Sequence, residues 1–309
     1  MSCKINKGSE SISKLNRISK PTNTIFNLIF LVISIMCVIP VAFVFMISIT
    51  SESSLTDNGY RFWPKEFSLD AYRFLLREGK MIVNALEVSI FVTVVGTIIA
   101  IILTTAMGYV LSRKEYKLNG FLTWIVFIPM IFNGGMLSSY VVNTNLLGLK
   151  DSVWALILPL AVSSFNVIVC KTFFKTTIPD SIVESAKIDG ANQFKIFSKI
   201  VLPISKPVLA TIGLFSCFSY WNDWFQSSLY INNTKLISLQ ALLNNIQKSI
   251  EYLANNPSAG LTLQQYKAQM PQEGVRMAIA IVIIIPIACA YPFFQRYFIS
   301  GLTIGAVKG

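Results

Sequence analysis

Histidine is absent from the 309 residues. That removes the commonest general acid–base group and the commonest metal ligand. Charge is scarce as well: Asp, Glu, Lys and Arg together make 13% of the chain, against 53% hydrophobic residues and a mean hydropathy of +0.59. A chain so short of charge is too apolar for an ordinary soluble domain and reads as a membrane protein. No GxxxxGK[ST] phosphate loop occurs, so the chain does not bind ATP by that route. Cysteines are few. Cys37, Cys170, Cys217 and Cys289 lie in or at the edge of apolar stretches and Cys3 in a basic tail. No pair has metal-ligand spacing, so no metal site is expected, and packing is the expected role.

What is abundant is long apolar runs. A spanning helix needs about 20 mostly apolar residues, and six stretches qualify, at roughly 25–49, 83–111, 121–142, 152–172, 206–230 and 276–298. The fold class this predicts is an all-α polytopic membrane protein: a basic tail over 1–24, then a single six-helix domain over 25–309. Basic residues before the first run resemble a secretion signal. The run continues to Ile49 without an evident small-residue cleavage site, which points to an uncleaved helix.

The net charge of +11 is distributed by side. With the N-terminus inside, 16 of the 26 basic residues and five of the 15 acidic ones fall in inner segments. The positive-inside rule therefore places the N-terminus, the 112–120 loop, the 172–205 loop and the C-terminus in the cytoplasm. A nucleic-acid partner is not expected, because no basic surface is interleaved with aromatics on a soluble fold. Membrane topology accounts for the excess charge.

Outside, Ser68 is placed to cap a short helix that starts in Phe67-Ser68-Leu69-Asp70-Ala71-Tyr72. The long loop over 232–275 carries Leu236, Leu239, Leu242, Leu243 and Ile246 at helical spacing, predicting an amphipathic helix against the bundle. Inside, the segment 179–207 is the most informative. Ser181 and Glu184 have capping-box spacing, predicting a helix from Ile182. Gly190 offers a left-handed bend. A second helix would set Phe194, Phe197, Ile200 and Val201 on one side and close at Pro203 and Pro207. On physical grounds this element is either a lever that docks into a partner or an interfacial loop.

Glu184-Ser185-Ala186, Asp189-Gly190-Ala191 and Ile200-Val201-Leu202-Pro203 closely resemble the EAA loop of ABC-importer permeases, whose pattern is E-A-A, three residues, G, nine residues, I-x-L-P. Only Ser185 departs from it. Further segments, among them Asn133-Gly134-Gly135, Trp221-Asn222-Asp223-Trp224 and Tyr291-Pro292-Phe293-Phe294-Gln295, are similar to the carbohydrate-uptake branch, near the maltose permease's second subunit and its LplC/YtcP-type group. The resemblance implies a type I importer permease in the bacterial plasma membrane, working by alternating access. Implied partners are a second permease subunit, a cytoplasmic ATPase dimer, an extracytoplasmic solute-binding protein and an oligosaccharide solute. ATP and Mg would be held by the ATPase, leaving this chain without cofactor or catalytic residue.

In that frame Glu184 pairs with a basic ATPase residue or serves only as a cap, Gly190 sets the bend, and Ala186 and Ala191 permit close approach. Trp221, Asn222, Asp223 and Trp224 are solute-pathway candidates, since an ionisable group in a span tends to face a cavity or a partner and aromatic faces with polar neighbours suit sugars. Asn133 with Gly134-Gly135 either unwinds the third span beside the pathway or permits plain close packing. The alternatives are an importer permease for a non-sugar solute, a sensor or scaffold that uses the same docking loop without passing solute, and a membrane-embedded glycan-modifying enzyme; the last would need clustered carboxylates or metal ligands in loops, and none is evident.

Overall fold

The computed structural model describes residues 20–77, 79–113, 115–255 and 272–306. Among them regular structure is helical throughout, and extended pairing is confined to an isolated antiparallel bridge between Thr50 and Phe67. The chain divides into two units, residues 1–71 with 273–281 and residues 72–272 with 282–309.

In the first unit α1 (Lys20–Ser48) is apolar almost end to end, and the side chains from Ile25 to Val41 are exposed. It begins five residues before the predicted span, so positions 20–24, assigned above to the tail, are helical; residues 1–19 lie outside the described residues. After it, α2 (Glu52–Asn58) starts where the Ser51 hydroxyl accepts the Ser54 N–H at 3.2 Å. The Glu52 carboxylate accepts the N–H groups of Glu273 and Gly274, both at 3.2 Å, at the start of the final helix. Tyr60 donates to Glu273 at 2.9 Å. Ser68 accepts the Asp70 N–H at 3.0 Å at the head of α3 (Asp70–Arg77), as its sequence predicts.

The second unit is organised around α4 (Gly79–Ser112), a helix of 34 residues. It packs against α8 (Ser164–Thr177), α12 (Lys206–Trp221) and α14 (Leu239–Asn255). Two glycines set the first two crossings. A Cβ at Gly96 would lie 2.5 Å from the Tyr220 ring, and one at Gly108 would lie 2.8 Å from the Cys170 Cβ. Small residues of this kind let membrane helices approach to backbone contact. Cys170 packs as expected of a buried thiol, whereas Cys37 and Cys289 are exposed and Cys217 half-buried. Helix α14 buries Leu239, Leu242 and Leu243, and the Leu239 N–H donates to Ser89 of α4 at 2.8 Å, so the predicted amphipathic outer helix is present. The rest of that loop, 256–271, lies outside the described residues.

Several predicted spans are broken. The third is α5 (Asn119–Ile131), three non-helical residues, and α6 (Gly135–Val141), which runs into a π turn, Val142–Leu146. The fourth is α7 (Trp154–Ile157) with a 3₁₀ turn, Leu158–Leu160, then α8 after a bend of 49°. The fifth ends at Trp221 rather than 230, and α13 (Phe225–Tyr230) follows as a separate helix. The sixth falls within α15 (Gln272–Ala306). Among the described residues, two helices, Pro21–Ser48 and Gly79–Ser112, are by length and composition fit to cross a membrane, and up to four if each of two bent pairs counts as one span.

Candidate functional site: a stapled elbow and a polar cleft

The segment from Pro179 forms α9 (Asp180–Ile188), α10 (Gln193–Ile196), a π turn Phe197–Val201 and α11 (Leu202–Ile204), then bends by 83° into α12. Helix α9 starts two residues earlier than predicted. Pro179 stands at its N-cap without a side-chain hydrogen bond, so the Ser181–Glu184 capping box does not form. Starting two residues sooner leaves Ser181 and Glu184 inside the helix rather than at its boundary. The first turn instead carries Asp180, whose charge suits the positive helix end.

Its other end is a Schellman motif. The Ala191 N–H donates to the Ala186 carbonyl at 2.9 Å and the Gly190 N–H to the Lys187 carbonyl at 3.0 Å. Gly190 takes φ +78°, the left-handed conformation this turn requires, as predicted. Asn192 then caps α10, its Oδ1 accepting the Lys195 N–H at 2.8 Å.

One face of this elbow is packed and the other is bare. Val183, Ala186, Ile196 and Val201 are buried in one cluster with Tyr109, Phe174 and Ile178. The sequence reading set Phe194 on one side with Phe197, Ile200 and Val201, yet Phe194 is 76% exposed while Val201 is buried, and Ile196 lines the inner face in its place. The π turn is the cause: its i→i+5 bonding shifts the register, so that Ile196 and Val201 face inward together. Ala186 also points inward, so its small side chain serves contact with the chain's own core. Glu184, Ser185, Asp189 and Gly190 are exposed, with Ile188 85% exposed beside them.

Polar contacts tie the elbow to the end of α4 and the loop after it. Tyr109 donates to Gln193 at 3.0 Å, Arg113 pairs with Asp180 at 3.4 Å, and Lys187 pairs with Glu115. The Lys187 ammonium holds the Glu115 carboxyl below its ordinary range, first by the hydrogen bond and then by charge. The sequence reading assigned these basic residues to topology alone; their pairing with Asp180 and Glu115 could not be read from spacing, because the partners are 67 and 72 residues apart.

The solute-pathway candidates do not share one site. Trp221 is buried and its indole N–H donates to the Ile283 carbonyl at 3.3 Å. Asn222 donates back to the Phe218 carbonyl at 2.9 Å, closing α12. The Asp223 carboxylate accepts the Gln226 N–H at 3.2 Å and so heads α13. Trp224 is exposed, with the Lys248 ammonium 5.4 Å from its ring centre. Asn133 is exposed in the break between α5 and α6, where its Oδ1 accepts the Gly135 N–H at 2.9 Å.

A different place gathers polar side chains. Between the break after Leu160 and the second half of α12 lies a cleft of about 500 Å³. Ser163, Asn166, Ser216 and Ser219 bring polar groups to it, and Phe165, Phe215 and Phe218 bring phenyl rings. The break is braced by Tyr220, whose hydroxyl donates to the Ile157 carbonyl at 2.8 Å. There the 3₁₀ turn sends the Ala161 N–H to the Leu158 carbonyl rather than to Ile157. Asn166 and the two serines of α12 were not singled out in the sequence. The signal was Ser163/Asn166 and Ser216/Ser219, two polar pairs at i,i+3 within apolar runs.

Comparison with known proteins agrees with this architecture. Residues 112–304 match the family model described as the binding-protein-dependent transport system inner membrane component. The chain is 38% identical to Protein LplC of Bacillus subtilis over 88% of its own length and 90% of that protein's. It is also 38% identical to the polygalacturonan/rhamnogalacturonan transport system permease protein YtcP of the same organism, over 90% and 95%. Among solved structures, a chain of a bacterial ABC transporter involved in import of the acidic polysaccharide alginate superposes with a TM-score of 0.76 at 30% identity, covering 91% of this chain and 99% of that one. The chain therefore belongs to the binding-protein-dependent inner-membrane transport components, the permease subunits of ABC importers, as a multi-pass protein of the bacterial plasma membrane of the kind that serves carbohydrate import.

Proposed function

We propose that this permease subunit takes up oligosaccharides released from a polysaccharide, and that the elbow Asp180–Ile204 is its coupling element to a cytoplasmic ATPase. The carrying observation is the division of the elbow into a buried face and a bare one. Glu184, Ser185, Asp189 and Gly190 lie bare beside Ile188 and Phe194, which are too apolar to favour water. A basic ATPase residue pairs with Glu184 while the two apolar side chains fill a cleft beside it. Ala191 adjoins this face, and Ala186 supports it from behind.

The staples from Tyr109, Arg113 and Glu115 make the elbow move with α4 as one body. Closure of an ATPase dimer then rocks the helices between inward- and outward-facing states. ATP and Mg belong to the ATPase, and this chain supplies no catalytic group. A second permease subunit completes the pathway and an extracytoplasmic binding protein delivers the solute. Six crossings, with the broken pairs each crossing once, set both termini in the cytoplasm. The oligosaccharide assignment is supported by the polysaccharides that the names of YtcP and of the structural neighbour carry.

Co-purification tests the docking. Tagged chain co-expressed with its ATPase retains it, and the double substitution Glu184→Lys, Ile188→Arg releases it while the companion permease stays bound. Retention of the ATPase by that variant would refute the assignment.

A further inference from the structure

We infer that the inner half of the groove between α4 and α12 holds an acyl chain of an anionic phospholipid, whose phosphate is met by Lys206. The groove has a volume of about 810 Å³ and lies within the second unit. Along α12 its lining runs from Lys206, the first residue of that helix, to Cys217, and along α4 from Thr93 to Ile101. At a helical rise of about 1.5 Å per residue the stretch from Lys206 to Cys217 is about 16 Å long, close to half of the roughly 30 Å of hydrocarbon in a bilayer. The groove therefore has the depth of one leaflet.

Its two ends differ. Toward the outside, Thr93, Val94 and Cys217 also line a second cavity of about 220 Å³, which Pro286, Ile287 and Tyr291 of α15 roof. Every described lining residue of the larger groove belongs to α4 or α12, so there the roof is missing. Toward the inside, α12 begins after the 83° bend of the elbow, and Lys206 is exposed at that corner. Among the described residues it takes part in no ion pair. Helix α12 has no acidic residue and α4 has only Glu87, near its outer end, so neither helix offers a counter-ion within the groove.

An apolar trough with one free cation at its mouth is complementary to a hydrocarbon chain under a negative head group. Ile98, Ile101 and Leu209 supply the apolar wall, and the small residues Ala210 and Gly213 leave it wide enough for a chain. Assignment to the inner leaflet rests on the cytoplasmic placement of the elbow proposed above; the groove and its charge do not. The rival occupant is a helix of the companion permease. It would bring a partner to the Thr93 and Thr97 hydroxyls, which have none among the described residues. A helix that crosses about 30 Å of hydrocarbon and follows the groove outward, however, runs into Pro286, Ile287 and Tyr291. An acyl chain ends before reaching them.

The test uses the complex of this chain with its companion permease and ATPase, in nanodiscs of phosphatidylcholine and phosphatidylglycerol in equal amounts. Native mass spectrometry after transfer to detergent reads which lipid stays bound, and a phosphatidylglycerol carrying a diazirine on its acyl chain maps where it lies. The wild type is expected to retain phosphatidylglycerol in preference, with cross-links in 93–101 and 206–217. Lys206→Gln should lower the ratio of retained phosphatidylglycerol to phosphatidylcholine about fivefold, the worth of one lysine beside an anionic head group. Ala210→Leu fills the groove without touching the charge and should displace both lipids. Recovery of the companion and the ATPase with each variant, at an unfolding temperature near the parent's, guards against a folding defect. An unchanged ratio in Lys206→Gln together with unchanged retention in Ala210→Leu would overturn the lipid site. So would lipid cross-links that fall outside the two segments, or a companion-permease peptide recovered on Cys217 labelled with a benzophenone maleimide, which would give the groove to a helix. Loss of the ATPase from the wild type, with lipid still held by the permease pair, would instead refute the docking elbow.

Discussion

A hydrogen where other residues carry a methyl decides how closely α4 meets α12. The Tyr220 ring lies where a Cβ of residue 96 would fall, and its hydroxyl is anchored to the Ile157 carbonyl, so it has no room to yield. Gly96→Ala should destabilise the subunit by about 1–3 kcal/mol, the usual range for overpacking, read as a lower unfolding temperature in detergent. Tyr220→Phe should cost about 1 kcal/mol by removing the hydrogen bond to the Ile157 carbonyl. Gly190 is a different case. Nothing lies within 4 Å of a Cβ there, so Gly190→Ala in the free subunit carries only the backbone penalty of about 1 kcal/mol. Asn tolerates the left-handed conformation, so Gly190→Asn should leave stability nearly intact while still placing a side chain on the docking face; a drop in ATPase retention with no drop in unfolding temperature is the expected result.

At the scale of elements, the outer corner after α6 shows how a charge holds irregular chain. Asp151 has φ +53°, and its carboxylate accepts the N–H groups of Asn232 and Asn233, the latter at 3.0 Å. Those two bonds, the first the larger, hold its carboxyl below the ordinary aspartate range. A carboxyl depressed in the folded state contributes stability in full above its unfolded value, about pH 4, and loses it as the pH falls through the lower folded value. Asp151→Asn keeps an acceptor oxygen and tolerates the backbone. It should lower thermal stability at neutral pH and flatten the acid-side fall, so that variant and parent converge at low pH, as melting curves over an acidic pH series would show.

The elements also mark what sequence could and could not disclose. Helix α14 and the bend at Gly190 were legible because each rests on local rules, hydrophobic spacing and a left-handed turn. The breaks in the fourth and fifth spans were not, since apolar windows register hydropathy and not the tertiary bond that Tyr220 makes across 63 residues. The grouping of Phe194 with Phe197, Ile200 and Val201 on one side did not hold because an α-helical period was applied across a π turn. Pro179, rather than the Ser181–Glu184 pair, marks the start of α9, standing at the N-cap with a non-helical ψ of 138°. Asn166 went unremarked because a single amide in an apolar run becomes informative only when the cleft beside it is seen.

In the whole molecule an elbow sits at one end of α4 and a polar cleft opens farther along the same helix bundle. The elbow is packed and stapled on one face and bare on the other, and coupling depends on that bare face. In a background with Cys3, Cys37 and Cys289 replaced by serine, Ile188→Cys gives a thiol at a position that is 85% exposed. The decisive measurement is its labelling by a membrane-impermeant maleimide in sealed vesicles of known orientation. Labelling in inside-out vesicles stripped of ATPase, lost when the ATPase is restored, is the predicted result; labelling in right-side-out vesicles, or labelling indifferent to the ATPase, would contradict it.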